Sequence, residues 1–354
     1  MYRYFLVILL AGAWSAVAPS AQAQSAVLDL PRASQHALIT QKIGVTDITI
    51  SYHRPLVNGR KVLGGLEPYG KVWRAGANEN TTIAFSDAVT VEGKPLAAGT
   101  YGLHMIPGEN EWTVIFSKAA TAWGSFTYDQ KEDAQRVTVK PQTSEFHEAL
   151  TYDFDDPKPN AATVTMRWDK VAVPFKVEVN THEIVADSLH KQLRGLAQYT
   201  WEGWDDAGNY FLTEKTNLEE ALKYEDRSIQ VEERFENVMT KANLLDALNR
   251  KDEATVARNK ALGMANTLQL HVYGRQLQQQ GKQEQAFDIF RSNINKNPSH
   301  WLTHNESARL ACAKGDFDTA VKEMKLSATG ATGQNKQAIE ALVKRLESKE
   351  DINK

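Results

Sequence analysis

The chain has 354 residues, 42% of them hydrophobic and 24% charged, and a formal charge of −3 from 41 basic and 44 acidic side chains. This composition is that of an ordinary globular protein, and it excludes disordered, collagen-like and coiled-coil chains. The length predicts two domains. The near balance of charge argues against a nucleic-acid or anionic-membrane partner held by bulk charge.

The first 23 residues have the pattern of a signal peptide. Arg3 supplies a basic start, residues 5–17 are apolar except for Ser15, and Ala21-Gln22-Ala23 matches the small-x-small cleavage pattern. We therefore expect cleavage after Ala23 and a periplasmic or secreted protein. No membrane span is expected, because every apolar run is shorter than the roughly 20 residues that cross a bilayer.

Residues 24–180 are predicted to form an all-β domain. Nine of the eleven prolines lie there, and about nine segments of alternating apolar and polar residues are separated by turn residues. Short strands without helical spacing between them are typical of an antiparallel β-sandwich or jelly roll. The tripeptide Trp168-Asp169-Lys170 is expected to connect two of these strands.

One predicted hairpin can be worked out residue by residue. Residues 107–110, with the sequence PGEN, form a four-residue loop that sets Ile106 opposite Glu111 and Leu103 opposite Val114. Because side chains alternate along a strand, Leu103 and Val114 share an apolar face that should lie in the core. His104 then points to the opposite face.

Residues 181–350 are predicted to form an α-helical domain built from repeats. Small residues recur at intervals of 32 to 34 residues, namely Gly281, Gly315 and the series Ala221, Ala254, Ala286 and Ala320. Two antiparallel helices can approach closely at such positions, and the spacing resembles that of tetratricopeptide repeats. The array is either a cap that only stabilises the β domain or a surface that binds a protein or peptide partner.

The stretch from residue 54 to residue 80 is the most unusual part of the chain. It carries five basic residues against two acidic ones, several glycines that allow sharp turns, and two aromatic side chains. Such a connection between strands can hold an anionic or sugar-like ligand, or it can be a rim whose arginines tie the loop to the sheet. The candidate ligand-binding residues are Arg54, Arg60, Tyr69, Trp73, Arg74 and Asn78.

Several motifs within residues 29–179 resemble the bacterial domain-of-unknown-function 2911 family. They are a Tyr-x-Arg-Pro strand end, a Gly-Arg loop, a Trp-Arg-x-Gly-Ala-Asn segment and an Ala-Gly-Thr-Tyr hairpin, which begin here at Tyr52, Gly59, Trp73 and Ala98. The resemblance implies an exported bacterial protein of a kind that often carries a helical repeat tail. It implies no particular activity.

Three histidines, His53, His104 and His147, fall on the polar faces of predicted strands. If they converge, they would provide the imidazole ligands that zinc or copper requires. The alternative is that they are ordinary solvated side chains. The chain has no HExxH motif, no GxSxG elbow, no phosphate-binding GxxxxGK[ST] loop and no dinucleotide-binding GxGxxG motif.

Two functions of different class follow from these patterns. The first is a periplasmic binding or interaction protein, in which the 54–80 loop holds a small ligand and the repeats bind a protein partner. The second is a metal-dependent hydrolase or another enzyme that uses the three histidines. The lack of catalytic motifs favours the first.

Overall fold

A computed structural model describes residues 31–353 of the chain. These residues divide into two compact units between Ile184 and Val185. The predicted signal peptide and its cleavage site lie outside the described residues, so export of the chain stays a prediction.

The first unit is built from ten antiparallel strands in its described part. They are β1 (Gln35–Ile43), β2 (Thr46–Arg54), β3 (Thr82–Phe85), β4 (Val89–Val91), β5 (Lys94–Leu96), β6 (Gly99–Ile106), β7 (Trp112–Ser117), β8 (Asp133–Val139), β9 (Gln142–Lys158) and β10 (Ala161–Glu178). Six of them form one sheet in the order β1-β2-β3-β6-β7-β8, and four form a second sheet in the order β5-β4-β10-β9.

The two sheets enclose one apolar core, which the alternating strands fill from both sides. Tyr52 and Phe116 of the six-stranded sheet meet Tyr152 and Phe175 of the four-stranded sheet, with ring centroids 4.8 and 5.9 Å apart. The predicted antiparallel β-sandwich is therefore confirmed.

The β6–β7 hairpin has the predicted faces but not the predicted register. Ile106 lies opposite Thr113 and Leu103 lies opposite Phe116, a shift of two residues. The loop is wider than four residues because the carbonyl of Pro107 accepts a hydrogen bond from the Gly70 amide instead of closing a tight turn. A shift of two leaves every side chain on its face, so His104 still points away from the core.

The expected connection at Trp168-Asp169-Lys170 is not a turn between strands. Residues 161–178 form one long strand, and the tripeptide is a bulge within it, where the pairing register with β9 shifts on both sides of Asp169. Asp169 has a φ of +54°, which produces a local kink without ending the strand.

The second unit is all-α in the described residues. The helices of the chain are α1 (Thr181–Gln192), α2 (Trp201–Glu214), α3 (Leu218–Val231), α4 (Phe235–Ala247), α5 (Lys251–Met264), α6 (Thr267–Gln279), α7 (Gln283–Lys296), α8 (Trp301–Ala313), α9 (Phe317–Gly330) and α10 (Gly333–Glu347). None of these helices is both long and apolar enough to cross a bilayer.

Helices α2 to α9 pack as four successive hairpins with short turns, and the predicted repeat pattern explains the packing. The four alanines of the series, Ala221, Ala254, Ala286 and Ala320, are fully buried. Gly281 and Gly315 adopt left-handed backbone with φ of +74° and +78° in the last two turns. Lys215 and Asn249 adopt the same conformation in the first two turns, with φ of +54° and +60°. The early repeats therefore keep the turn geometry without its glycine.

Candidate functional site

Two arginines of the 54–80 stretch bind backbone carbonyls of the same domain. Arg54 donates from Nε to the Leu150 carbonyl at 2.9 Å, which ties β2 to β9. Arg60 donates to the carbonyls of Val57 and Leu56, three and four residues earlier in its own loop. Arg54 therefore ties the loop to the sheet, as in the structural alternative, and Arg60 stabilises the loop itself.

Trp73 belongs to the core. Its side chain is 4% exposed, its ring stacks on Trp168 with centroids 5.6 Å apart, and its indole N–H donates to the Gly76 carbonyl at 3.1 Å. A ligand cannot reach either face of this ring, so its assignment to a ligand-binding surface is corrected. The backbone explains the burial, because Trp73 and Met105 exchange two 2.8 Å hydrogen bonds and Trp73 extends the six-stranded sheet.

The remaining members of the predicted set lie at the periphery. Tyr69 is 42% exposed and its ring lies against Gly64. Asn78 donates to the Ser34 carbonyl at 3.3 Å.

Glu67 is an acidic residue near Arg74 and Arg60. Burial raises the pKa of its carboxyl to about 7, while the positive charges of Arg74 and Arg60 lower it.

Arg74 and His104 share the outer face of the six-stranded sheet. Trp73 and Met105 are paired and both point into the core, so their chain neighbours Arg74 and His104 point outward. The Arg74 guanidinium lies against Gly124, since a Cβ placed on that glycine would be 2.7 Å from its Nη1. Its Nε atom is buried and has no hydrogen-bond partner among the described residues.

The segment of residues 118–130 covers this outer face, and His104 fastens it there. His104 is 2% exposed, and its Nδ1 lies 2.9 Å from Ser125 Oγ. Asn80 donates to the Ala119 carbonyl at 3.2 Å. Burial lowers the pKa of His104 to about 4 against the opposing charge of Asp133, so the ring is neutral near pH 7. This neutral, enclosed imidazole anchors the covering segment.

His53 lies at the rim of the same face in an open polar depression. Its Nε2 is 3.4 Å from Glu79 Oε2, and Glu79 pairs with Arg32 at 2.6 Å. The ring of His36 is 5.2 Å from that of His53 between centroids. The depression has a volume of about 510 Å³ and is lined by Pro31, Arg32, Ser34, Gln35, His36, His53 and Glu79.

Sequence reasoning missed His36 and Arg32. His36 lies on β1, which a tight turn at Gly44 and Val45 joins to β2. Once β1 is paired with β2, His36 falls directly opposite His53. The short turn is the sequence feature that could have revealed the pairing of His36 with His53, because it fixes the register of both strands. Burial lowers the pKa of His53, while the nearby Glu79 carboxylate raises it.

The three histidines do not converge on a metal. His147 lies on β9 of the four-stranded sheet opposite Asp169, whereas His53 and His104 belong to the six-stranded sheet. Within residues 31–353, no group of three or more His, Cys, Asp or Glu side chains could hold a metal ion. The predicted zinc or copper site at His53, His104 and His147 is therefore corrected.

The helical domain contains a cleft between its second and third hairpins. The volume is about 590 Å³. Helices α4 and α5 form one wall, and α6 and α7 form the other. The lining residues are Met239, Asn243, Asp246, Arg258, Leu262, Tyr273, Gln276, Leu277, Gln280, Lys282, Gln285, Asp288 and Ile289.

These features define a protein with an antiparallel β-sandwich domain followed by a domain of repeated helical hairpins. Residues 34–177 match a family model described as "Protein of unknown function (DUF2911)". The resemblance drawn from the motifs of the β domain is thereby confirmed.

Comparison with curated proteins gave no match. One solved structure with similarity to the chain is described as "Crystal structure of APC/C hetero-tetramer Cut9-Hcn1", with 19% identity and a TM-score of 0.30. The similarity covers 48% of this chain and 33% of that one. The chain thus spans about a third of the length of that protein.

Proposed function

We propose that this chain is an exported interaction protein whose helical domain binds an extended segment of a partner protein in the α4–α7 cleft. The observation that carries the proposal is the composition of that cleft. Neighbouring hairpins of a repeat array normally bury the surface between them. Here they leave about 590 Å³ of space that is lined by both apolar and amide side chains.

The cleft has the chemistry of a polypeptide site. Its apolar side chains, Met239, Leu262, Tyr273, Leu277 and Ile289, can take the side chains of a bound segment. Its amide side chains, Asn243, Gln276, Gln280 and Gln285, each offer a donor and an acceptor. An extended backbone presents both groups at every residue, so amides can bind it regardless of its sequence.

The charges of the cleft point to a partner segment of low net charge. Asp246 pairs with Arg258, so these two charges of the lining cancel. Lys282 and Asp288, also in the lining, are opposite in sign. Electrostatic complementarity therefore selects against a strongly acidic or strongly basic segment.

The test is a selection from a library of random peptides displayed on phage, with the full chain as bait. Synthetic versions of the selected peptides should bind the double variant Gln276→Ala/Gln285→Ala about tenfold more weakly, because each lost hydrogen bond contributes about 0.5–1.5 kcal/mol. Gln279→Ala/Gln283→Ala is the matched control, since both amides lie on α6 and α7 outside the cleft. Equal affinities for both variants would contradict the proposal.

A second candidate function is the binding of a sugar-like ligand in the depression at the rim of the β domain. A carboxylate, a guanidinium and two imidazoles face it, and these groups can hydrogen-bond vicinal hydroxyls. Trp123 is 56% exposed, and Arg32 lies 6.0 Å from its ring centroid, so an aromatic face is close by. Pairing with Glu79 neutralises Arg32, which favours a neutral sugar over an anion.

This candidate is tested by titrating the chain with neutral mono- and disaccharides while tryptophan fluorescence is measured. A saturable change that is absent in Trp123→Phe and weakened in Glu79→Gln supports it.

Export, which is part of the first proposal, is tested separately by fractionation and mass spectrometry. A mature chain that begins at Gln24 in the periplasmic fraction is the expected result, and full-length chain in washed membranes would contradict it.

A further inference from the structure

The chain returns to its own helical domain after α10. Residues 349–353 leave the helix through Lys349, whose φ of +57° reverses the chain direction. They contact helices α6, α8 and α10 through side chains of those helices. We call residues 349–353 the return segment.

Half of these contacts go to backbone carbonyls of the return segment, and the other half go to the side chains of Glu350, Asp351 and Asn353. Arg309 of α8 donates to the Ile352 carbonyl at 2.7 Å, and Arg345 of α10 donates to the Asp351 carbonyl at 3.1 Å. The thiol of Cys312 lies 3.9 Å from the Glu350 carbonyl. The contacts to carbonyls do not depend on the sequence of the segment, so another chain in the same conformation could make them.

Glu350 forms an exposed ion pair with Arg345 at 3.0 Å, Asp351 lies 3.5 Å from the Cys312 thiol, and two further side chains give the return segment its specificity. Ile352 is 2% exposed and packs in the apolar cluster of α8, α9 and α10. Asn353 donates to the Arg309 carbonyl at 3.0 Å and accepts from Gln278 of α6 at 2.9 Å. The groove therefore recognises an aliphatic residue followed by an amide residue.

Burial of the Arg309 cation under the return segment is unfavourable in free energy. It is 4% exposed, and its guanidinium donates to two neutral oxygens, Asn305 Oδ1 and the Ile352 carbonyl. Burial, together with the nearby Arg275, lowers the pKa of Arg309 to about 9. Withdrawing a cation from water without an acidic hydrogen-bond partner opposes docking. Release of the segment lets Arg309 hydrate, which offsets part of the contacts that are lost.

We infer that the surface of α6, α8 and α10 is a binding groove for a short protein segment that adopts the same turns, and that the return segment is its internal, displaceable occupant. The partner segment carries an aliphatic residue followed by asparagine or a similar amide. The groove is separate from the α4–α7 cleft, because Gln278, Arg309, Cys312 and Arg345 do not line that cleft. The inference therefore stands or falls independently of the proposed cleft function.

A labelled peptide tests the groove directly. The probe is a fluorescent synthetic peptide with the sequence ESKEDIN of residues 347–353. In the full chain the return segment competes with it at an effective concentration of about millimolar. The variant Ile352→Ser weakens the internal competitor, so this variant should bind the peptide about three- to fivefold more tightly than the original chain does.

Two controls define the result. Ser348→Ala, an exposed position before the return segment, should leave the affinity of the chain for the peptide unchanged. A peptide with serine in place of its isoleucine should bind neither chain. Equal binding of the intact peptide to the original chain and to Ile352→Ser, or binding to neither, would overturn the inference.

A measurement on the unaltered chain keeps the test independent of mutation. Cys312 is the only cysteine, is 5% exposed, and lies under residues 350 and 351. A thiol-reactive dye at about pH 8.5, near the ordinary thiol pKa, labels it only when the segment opens. Labelling without denaturant, at a rate that is insensitive to low urea, is expected. Labelling that occurs only with global unfolding of the helical domain would show a fixed structural element and overturn the inference.

Discussion

Two irregular segments of this protein are used in opposite ways. Residues 54–80 have the composition of a binding loop, yet two of the candidate ligand-binding side chains serve the β domain: Trp73 fills its core and Arg54 binds the Leu150 carbonyl. Residues 349–353 have an ordinary composition, and the helical domain holds them through both their backbone carbonyls and their side chains. The first segment contributes to a large core, whereas the second is held by a few polar contacts and one buried apolar side chain, which permits exchange.

The largest effect should come from the core of the first segment. Trp73→Ala removes a buried ring that stacks on Trp168, so the free energy of unfolding of the β domain should fall by about 3–5 kcal/mol. Urea unfolding followed by hydrogen exchange in β6 and β10 measures it. Lys71→Ala, an exposed position of the same segment, is the control. A loss below about 1 kcal/mol would mean that residues 54–80 are not part of the core.

The two domains should respond to acid in opposite directions. The folded pKa of His104, about 4, is below its ordinary value of 6.5, so the unfolded chain binds the proton and the stability of the β domain falls as the pH drops. Burial raises the pKa of Glu225 to about 10, with nearby Asp205 adding to the shift. Folded Glu225 is then protonated near neutrality, so the helical domain gains stability as the pH drops.

The pKa of Glu67, raised to about 7, opposes the His104 contribution within the β domain, so the comparison uses a Glu67→Gln chain, in which each change between about pH 7 and about pH 5 should be about 2 kcal/mol. Opening free energies from hydrogen exchange, measured separately for β6 and α3, provide the comparison. Glu225→Gln should flatten the response of α3 and leave that of β6 unchanged. Parallel pH responses in the two domains would contradict these pKa shifts.

A smaller loss is expected at the second anchor of the 54–80 segment. Arg54→Met keeps much of the side chain but removes the hydrogen bond to the Leu150 carbonyl, so the β domain should lose about 1–2 kcal/mol. The midpoint of urea unfolding measures this loss. If instead stability is unchanged and binding of a small ligand disappears, Arg54 is a ligand residue and not an anchor.

The smallest effect should come from the return segment, although Ile352 is as deeply buried as many core residues. Ile352→Ser should cost the helical domain no more than about 1 kcal/mol, because the segment can detach and the loss cannot exceed its docking free energy. Urea unfolding followed by far-ultraviolet circular dichroism measures this. A loss of about 3 kcal/mol or more would place Ile352 in the permanent core.

Periodic patterns predicted the fold well. The alternation of strands indicated the sandwich, and the spacing from Ala221 to Ala320 indicated the helical hairpins, because both reflect contacts repeated along a regular element. The register of β6 and β7 could not be read in the same way. It depends on the hydrogen bond between Gly70 and the Pro107 carbonyl, which joins residues far apart in the chain.

The site was harder to predict for a related reason. Trp73 lies in a stretch without alternation, and its burial follows from pairing with Met105, 32 positions later in the chain. His36 needed the register of β1 against β2, and the return segment has no periodicity at all. Local sequence identified which residues are unusual, and only long-range pairing decided which way they point.

Site-specific photocrosslinking tests the central claim, that the helical domain binds a protein segment in its cleft, most directly. A photoreactive phenylalanine analogue replaces Gln276 in the cleft or, as the control, Glu340 on the exposed surface of α10. A peptide selected from the random library is then added and irradiated. The account predicts a crosslink from position 276 and none from position 340. Crosslinking from 340 alone, or from both positions equally, would contradict it.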